Sequence, residues 1–296
     1  MELNSFRLQS DSMFVRSEEI NPIKPLSIIC LAVEGNVTEP NYFLYIEKYR
    51  EQLGAKKGLH IKVLEREVND NYCTPSAVLD LLQEYVDLCD EEKASNLIRS
   101  FIPGHIADEY IKQYIEGQVE DDEKKEELEG HLREIGFPAE YYAFMREYKS
   151  ECGDVFGIVI DRDHYTHSIA QLNRVLDDCE KNGYKFFMTN PCFEFWLLLH
   201  VCDVKNNDDI DLAKCLVNDK VSNQHSYTSK KLNSIVQHGK NISEDQFVKY
   251  YLNNIDTAIM RIKDFNTEIN ELIGDEKNPM GRLGSNLGNL FDIFRS

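Results

Sequence analysis

Positive charge is scarce in this sequence. Its 296 residues carry 33 Lys+Arg against 52 Asp+Glu, a formal net charge of −19. That balance excludes a protein that coats nucleic acid through bulk electrostatics. Paired cysteines are also missing: the eight cysteines stand at 30, 73, 89, 152, 179, 192, 202 and 215, with no Cys-x-x-Cys. Isolated cysteines inside apolar runs behave as small hydrophobes. Neither a zinc site nor a disulfide framework is expected, and the pattern suits a cytoplasmic protein. No run of about 18 apolar residues occurs, so no transmembrane helix is expected. The first residues, MELNSFRLQSDSMF, lack the apolar core of a signal peptide. There is no glycine-rich phosphate loop and no internal repeat, which argues against ATP hydrolysis by the chain itself.

What is present centres on Val155-Phe156-Gly157-Ile158-Val159-Ile160-Asp161-Arg162-Asp163. A short β-branched run ending abruptly in acids reads as a buried parallel strand that reaches the carboxyl edge of its sheet. Side chains alternate on extended backbone, so Asp161 and Asp163 are expected to project the same way. Two carboxylates facing one point suit a hard divalent cation, Mg2+ or Mn2+, held through oxygen ligands. A polar turn after a strand is the plainer alternative, since Asp favours turns.

The same logic appears earlier. Pro25 to Val33 is a second buried-strand candidate, and it ends in Glu34-Gly35. Thr38-Glu39-Pro40 predicts a helix start with Thr as N-cap, running to about Leu53 with Tyr42, Phe43 and Ile46 facing the core. Residues 59–64 suit a third strand, and Ala77 to Leu88 a helix. Helical spacing returns over Ser168 to Lys181, closed by Gly183, followed by a fourth strand over Lys185 to Thr189. Asn190-Pro191 then stops the strand and starts a helix with Glu194 in its first turn, beside the only Trp. A lone acid among aromatics is costly to bury unless it is paired or on a metal; the other reading is that Glu194 complements the helix N-terminus. His200, six residues on, is read either as a core histidine or as part of a substrate surface. Tyr227 with Lys230 and Lys231 offers a base-stacking ring and phosphate contacts. An ordinary solvated loop is the competing reading there.

Charge is unevenly spread. Residues 205–296 hold 12 Lys+Arg against 13 Asp+Glu, leaving 21 against 39 for residues 1–204. The expected organisation is an arm at 1–24, an α/β core from 25–88 and 151–204, a helical acidic insertion at 89–150, and a helical part at 205–296. The insertion contains eight acids and two lysines over 116–129. Such runs are solvated faces or, alternatively, docking surfaces for a basic partner.

Three strand-end acids, Glu34, Asp161 and Asp163, resemble the arrangement in TOPRIM domains of topoisomerases, primases and OLD-type nucleases. More specifically, Glu34-Gly35-Asn36-Val37-Thr38-Glu39-Pro40-Asn41-Tyr42-Phe43, Asp161-Arg162-Asp163, and Asn190 to His200 resemble, in order, motifs of the RloB-like family. The resemblance covers about 26–75 and 153–270. It implies a TOPRIM-like α/β fold with a mostly parallel sheet flanked by helices, here with a helical insertion and a helical C-terminal part. It also implies a prokaryotic anti-phage, abortive-infection setting and an ABC-type or AAA ATPase encoded nearby.

The expected activity is magnesium-dependent phosphodiester hydrolysis of RNA, tRNA or DNA. Asp161 and Asp163 would hold the cation, and Glu34 would be a general acid/base or a ligand to a second ion. Glu194 would be an outer ligand or orienting residue. Tyr227, Lys230, Lys231 and His200 would meet the substrate. The rival expectation is a non-catalytic scaffold that docks the ATPase. No membrane partner is expected, and homo-oligomerisation is left open.

Overall fold

Apolar runs that end in acids build the sheet. The computed structural model describes residues 27–64, 74–87, 93, 96, 99, 108–115, 125–130, 153–223, 225–237 and 241–296. The strands are β1 (Ser27–Val33), β2 (Leu59–Val63), β3 (Val155–Asp161), β4 (Lys185–Asn190) and β5 (Gly284–Ser285). Their order across the sheet is β2-β1-β3-β4-β5. β1 and β4 both run parallel to β3, and β5 pairs antiparallel with β4. The fold is therefore α/β, with a five-stranded, mainly parallel sheet flanked by helices. Central strands buried on both faces need continuous apolar sequence, and Ile28 to Val33 and Ile158 to Ile160 are all buried.

Between the strands lie α1 (Thr38–Lys48), α2 (Pro75–Asp87), α3 (Asp108–Ile115), α4 (Ile169–Asn182) and α5 (Phe193–Val201). Helices then dominate to the end: α6 (Leu212–Val217), α7 (Tyr227–Val236), α8 (Glu244–Tyr250), a 3-10 turn at Leu252–Asn254, α9 (Ile255–Ile262), α10 (Ile269–Ile273) and α11 (Gly288–Arg295). Local signals place several ends. Ser168 accepts from the Gln171 amide as N-cap of α4, and Gly183 closes it at φ 73°. Thr38, by contrast, is the first helical residue of α1; Val37 stands at the cap without a side-chain bond.

The described residues group into two compact units. One comprises 28–83 with 154–296 and carries the sheet; the other, within 84–153, includes α3 and a helical stretch at 125–130. The arm expected at 1–24 and the acidic run at 116–124 lie outside the described residues.

In the sheet-bearing unit the core joins β1, α1 and α5 to α8, α9 and α11. Tyr42, Phe43 and Ile46 of α1 are buried there, as their helical spacing predicts. Residues 205–296 are mostly helical, yet their tail returns to the sheet. The Asn286 side chain accepts from the Met188 amide (2.7 Å) and donates to the Phe186 carbonyl (2.8 Å), acting as an extra rung on β4. At the opposite edge, Glu47 of α1 accepts from the Ile61 amide (2.7 Å) and contacts His60 Nδ1 (2.7 Å), tying α1 to β2. Among the described residues, Cys30, Cys179, Cys192, Cys202 and Cys215 are buried. No described helix is long and apolar enough to cross a membrane.

Candidate active site

Strand order fixes where a site belongs. β1 leads to β2 on one side of the sheet, whereas β3 leads to β4 on the other. The switch point therefore falls between β1 and β3, and open α/β sheets bind ligands at the carboxyl ends beside that point. Glu34 follows β1 directly, and Asp161 ends β3.

The two meet there. The Glu34 amide donates to the Val159 carbonyl (3.0 Å), extending the β1–β3 register by one residue. The Glu34 carboxylate in turn accepts from the Asp161 amide through Oε2 (2.9 Å). Asp161 Oδ1 accepts from the Phe193 amide (2.8 Å), the first residue of α5. A helix N-terminus presents unpaired amides and partial positive charge, which favours a carboxylate at that spot.

More acids crowd the same carboxyl. Burial first, then the charges of Glu34, Glu39 and Glu194, hold Asp161 well above the usual carboxylate range, against the pull of the Phe193 amide. By sequence alone Glu39 is only a first-turn acid of α1. Gly35 is the signal that would have found it. A Cβ at position 35 would lie 2.0 Å from Glu39 Oε2, so only glycine lets this carboxylate close in. Glu194 stands in the first turn of α5, and together with burial it pushes the Cys192 thiol up.

The turn after β3 adds a histidine. His167 is buried, and its Nδ1 lies 3.1 Å from the Asp161 carbonyl. A carbonyl only accepts, so Nδ1 carries the proton. Nε2 then faces Glu34 Oε1 at 3.5 Å. The pair is separated by more than 130 residues in sequence, so no local pattern signals it.

Arg162 and Asp163 serve this turn. The buried Arg162 guanidinium donates to Ile273 O (2.7 Å), His167 O (2.8 Å) and Pro279 O (2.7 Å). Asp163 Oδ1 accepts from the Tyr165 amide (3.2 Å), and its carbonyl accepts from the Thr166 and His167 amides. β3 ends at Asp161, so the strict alternation expected to carry Asp163 along has stopped. The carboxylates that push Asp161 up are those of Glu34, Glu39 and Glu194, while Asp163 shapes the turn beside them.

Of the expected substrate residues, Tyr227, Lys230 and Lys231 share α7, and His200 stands apart from them. His200 lies inside the core: its Nδ1 donates to Trp196 O (2.9 Å), and its Nε2 accepts from the Tyr42 hydroxyl (3.1 Å). Trp196 Nε1 completes the ring by donating to Tyr42 (3.1 Å). Burial pushes His200 down to about 3, so it is neutral and has no face for substrate. This corrects the substrate role: a histidine six residues past Glu194 turns inward because α5 is apolar nearly all round. The Tyr227 hydroxyl accepts from the Asp211 amide (2.9 Å), and Lys231 Nζ lies 5.5 Å from the Tyr227 ring centre while donating to the Asp209 carbonyl. Tyr227 and Lys231 thus engage each other and the α6 entrance. Lys230 is exposed.

Among the described residues, no group of three or more His, Cys, Asp or Glu forms a ready-made metal cage. Magnesium does not require one: it keeps several waters and takes one or two carboxylates plus substrate phosphate oxygens. The Glu34–Asp161 pair, with Glu39 and Glu194 near enough to raise Asp161, fits that donor chemistry.

Comparison with curated proteins finds no match, and comparison with solved structures finds none. The family model described as RloB-like protein matches residues 29–287, a span that begins within β1, runs past β5 and holds every acid of the site. The chain belongs to the RloB-like protein family.

Proposed function

We propose that the protein is a divalent-metal-dependent nuclease, the effector of a prokaryotic anti-phage system under the control of a partner ATPase. One observation carries the chemical part. A half-buried aspartate at the switch point is held well above its usual range by burial and three neighbouring glutamates. Like charges brought together in this way need a cation or a proton between them. Asp161 and Glu34 would hold the ion, with Glu39 and Glu194 beside them. A bound Mg2+ or Mn2+ supplies charge for a phosphodiester in displacement and a water acidified for attack. The α5 N-terminus orients Asp161 through the Phe193 amide, and the Asp161 amide with His167 orients Glu34. Glu34 is thereby placed to move a proton at the attacking or leaving oxygen. Family membership supports the defence setting, and the TOPRIM-like resemblance supports the metal.

The experiment is cleavage of tRNA, single-stranded RNA and DNA by the full chain with Mg2+ or Mn2+, with and without the neighbouring ATPase. Glu34→Gln is expected to lower cleavage by about 10²–10⁴ and to weaken Mn2+ binding, while folding persists. Full activity or full toxicity in Glu34→Gln beside the ATPase would overturn the enzyme reading. A protonated, metal-free acid cluster in an ATPase-docking scaffold would then replace it.

A further inference from the structure

Tyr227, the ring expected from the sequence to stack a nucleobase, is engaged by Asp211 and Lys231. A different ring stands ready. Tyr165 is 64 % exposed, the most exposed large hydrophobic side chain among the described residues. It is nevertheless fixed at both ends. Its amide donates to Asp163 Oδ1, and its hydroxyl donates to Asp219 Oδ1. The His164 ring packs against it with centres 4.0 Å apart and planes at 37°.

The turn beneath is equally fixed. Asp163 O takes two amides, Arg162 holds His167 O, and His167 holds Asp161 O. An exposed aromatic ordinarily rests on the surface or moves freely. This one is braced by hydrogen bonds four residues past Asp161.

Its surroundings supply the remaining part of a strand-binding surface. Asp219, which holds Tyr165, is followed by the exposed Lys220, and its carbonyl accepts from the Tyr227 amide at the start of α7. Lys230 is exposed on the first turn of that helix.

Charge explains why stacking is needed. A chain with net charge −19 and a cluster of acids at its site repels phosphate, so bulk attraction cannot retain a strand. Base–aromatic stacking is indifferent to that repulsion and tolerates any base. We infer that the His164–Tyr165 ring pair is a base-stacking subsite that holds one nucleobase of a single strand beside the Glu34–Asp161 carboxylates, with Lys220 and Lys230 meeting the backbone. This rests on the nuclease reading, which supplies the nucleic-acid ligand.

The test is fluorescence anisotropy of labelled 12-nucleotide single-stranded RNA and DNA with the full-length chain, with Mn2+ and without divalent ions, at several salt concentrations. Tyr165→Ala is expected to weaken binding by about tenfold or more, and Tyr165→Phe to stay within about threefold, because it keeps the ring. Tyr165→Trp should bind and lose indole emission on binding an intact strand, but not an abasic one. Unchanged binding in Tyr165→Ala, where the native chain does bind, overturns the subsite and leaves the nuclease reading standing. No binding of any strand by the native chain overturns both. Emission from Trp196, the only Trp of the native chain, reports that the Ala and Phe variants are folded, and circular dichroism does so for Tyr165→Trp.

Discussion

Arg162 offers the sharpest test of how the site is held. Replacing it by Met removes three donors at 2.7, 2.8 and 2.7 Å from the carbonyls of Ile273, His167 and Pro279. A hydrogen bond involving a charged group contributes about 1.5–3 kcal/mol, and a buried carbonyl left without a donor loses about 1–3 kcal/mol. Three such bonds give a gross loss of about 5–9 kcal/mol. Met no longer carries the desolvation cost of a buried guanidinium, which returns several kcal/mol. The net expectation is a loss of about 3–5 kcal/mol. Arg162→Lys is not expected to rescue it, because a single ammonium cannot reproduce a planar fork reaching three separate carbonyls. The assay is urea unfolding followed by Trp196, the only Trp in the chain and buried in the same unit. The midpoint should fall while the slope stays constant. In a chain of this size the melting temperature should drop by roughly 10 °C. A loss under about 1 kcal/mol would refute the reasoning, since it would mean that the turn carrying Asp163 to His167 holds itself.

Asp161→Asn should raise the stability of the metal-free protein at neutral pH while weakening Mn2+ binding. The native Asp161 carboxyl sits above its usual range, so its favourable contribution is present below the unfolded value and lost as pH rises through the folded one. Melting curves from pH 4 to 8 should therefore converge for variant and native at the acid end; a variant less stable throughout would contradict this. His200 works in the opposite direction: with a folded value of about 3, native stability should fall as pH drops below 6.5 toward 3. The slope should be up to about 1.4 kcal/mol per pH unit. Removing the ionisable ring with His200→Gln should flatten that slope, and an unchanged slope would count against a buried neutral ring. Gly35→Ala should push the Glu39 carboxylate aside, because a flexible side-chain end is what its Cβ meets. Mn2+ affinity should drop while the thermal midpoint moves little; unchanged affinity would remove Glu39 from the site.

Much of this protein is written locally. The strands that lead to Glu34 and Asp161, the helix opened by Asn190-Pro191 with Glu194 in its first turn, and the close of α4 at Gly183 all follow from neighbouring residues. Strand burial, helix starts and glycine caps are settled within a few positions, so a linear reading reaches them. What only the tertiary structure decided is which side chains face one another. Glu39 enters the site because Gly35 leaves room. His167 reaches Glu34, and Arg162 reaches Ile273 and Pro279, across more than a hundred residues of chain. The same folding takes His200, Tyr227 and Lys231 for internal bonds and leaves Tyr165 in solvent. Periodicity says which face of an element is apolar; it is silent on which distant carbonyl or carboxylate that element will meet. The β2-β1-β3-β4-β5 order makes that choice, by setting the ends of β1 and β3 side by side and folding the polar groups of the later chain against them.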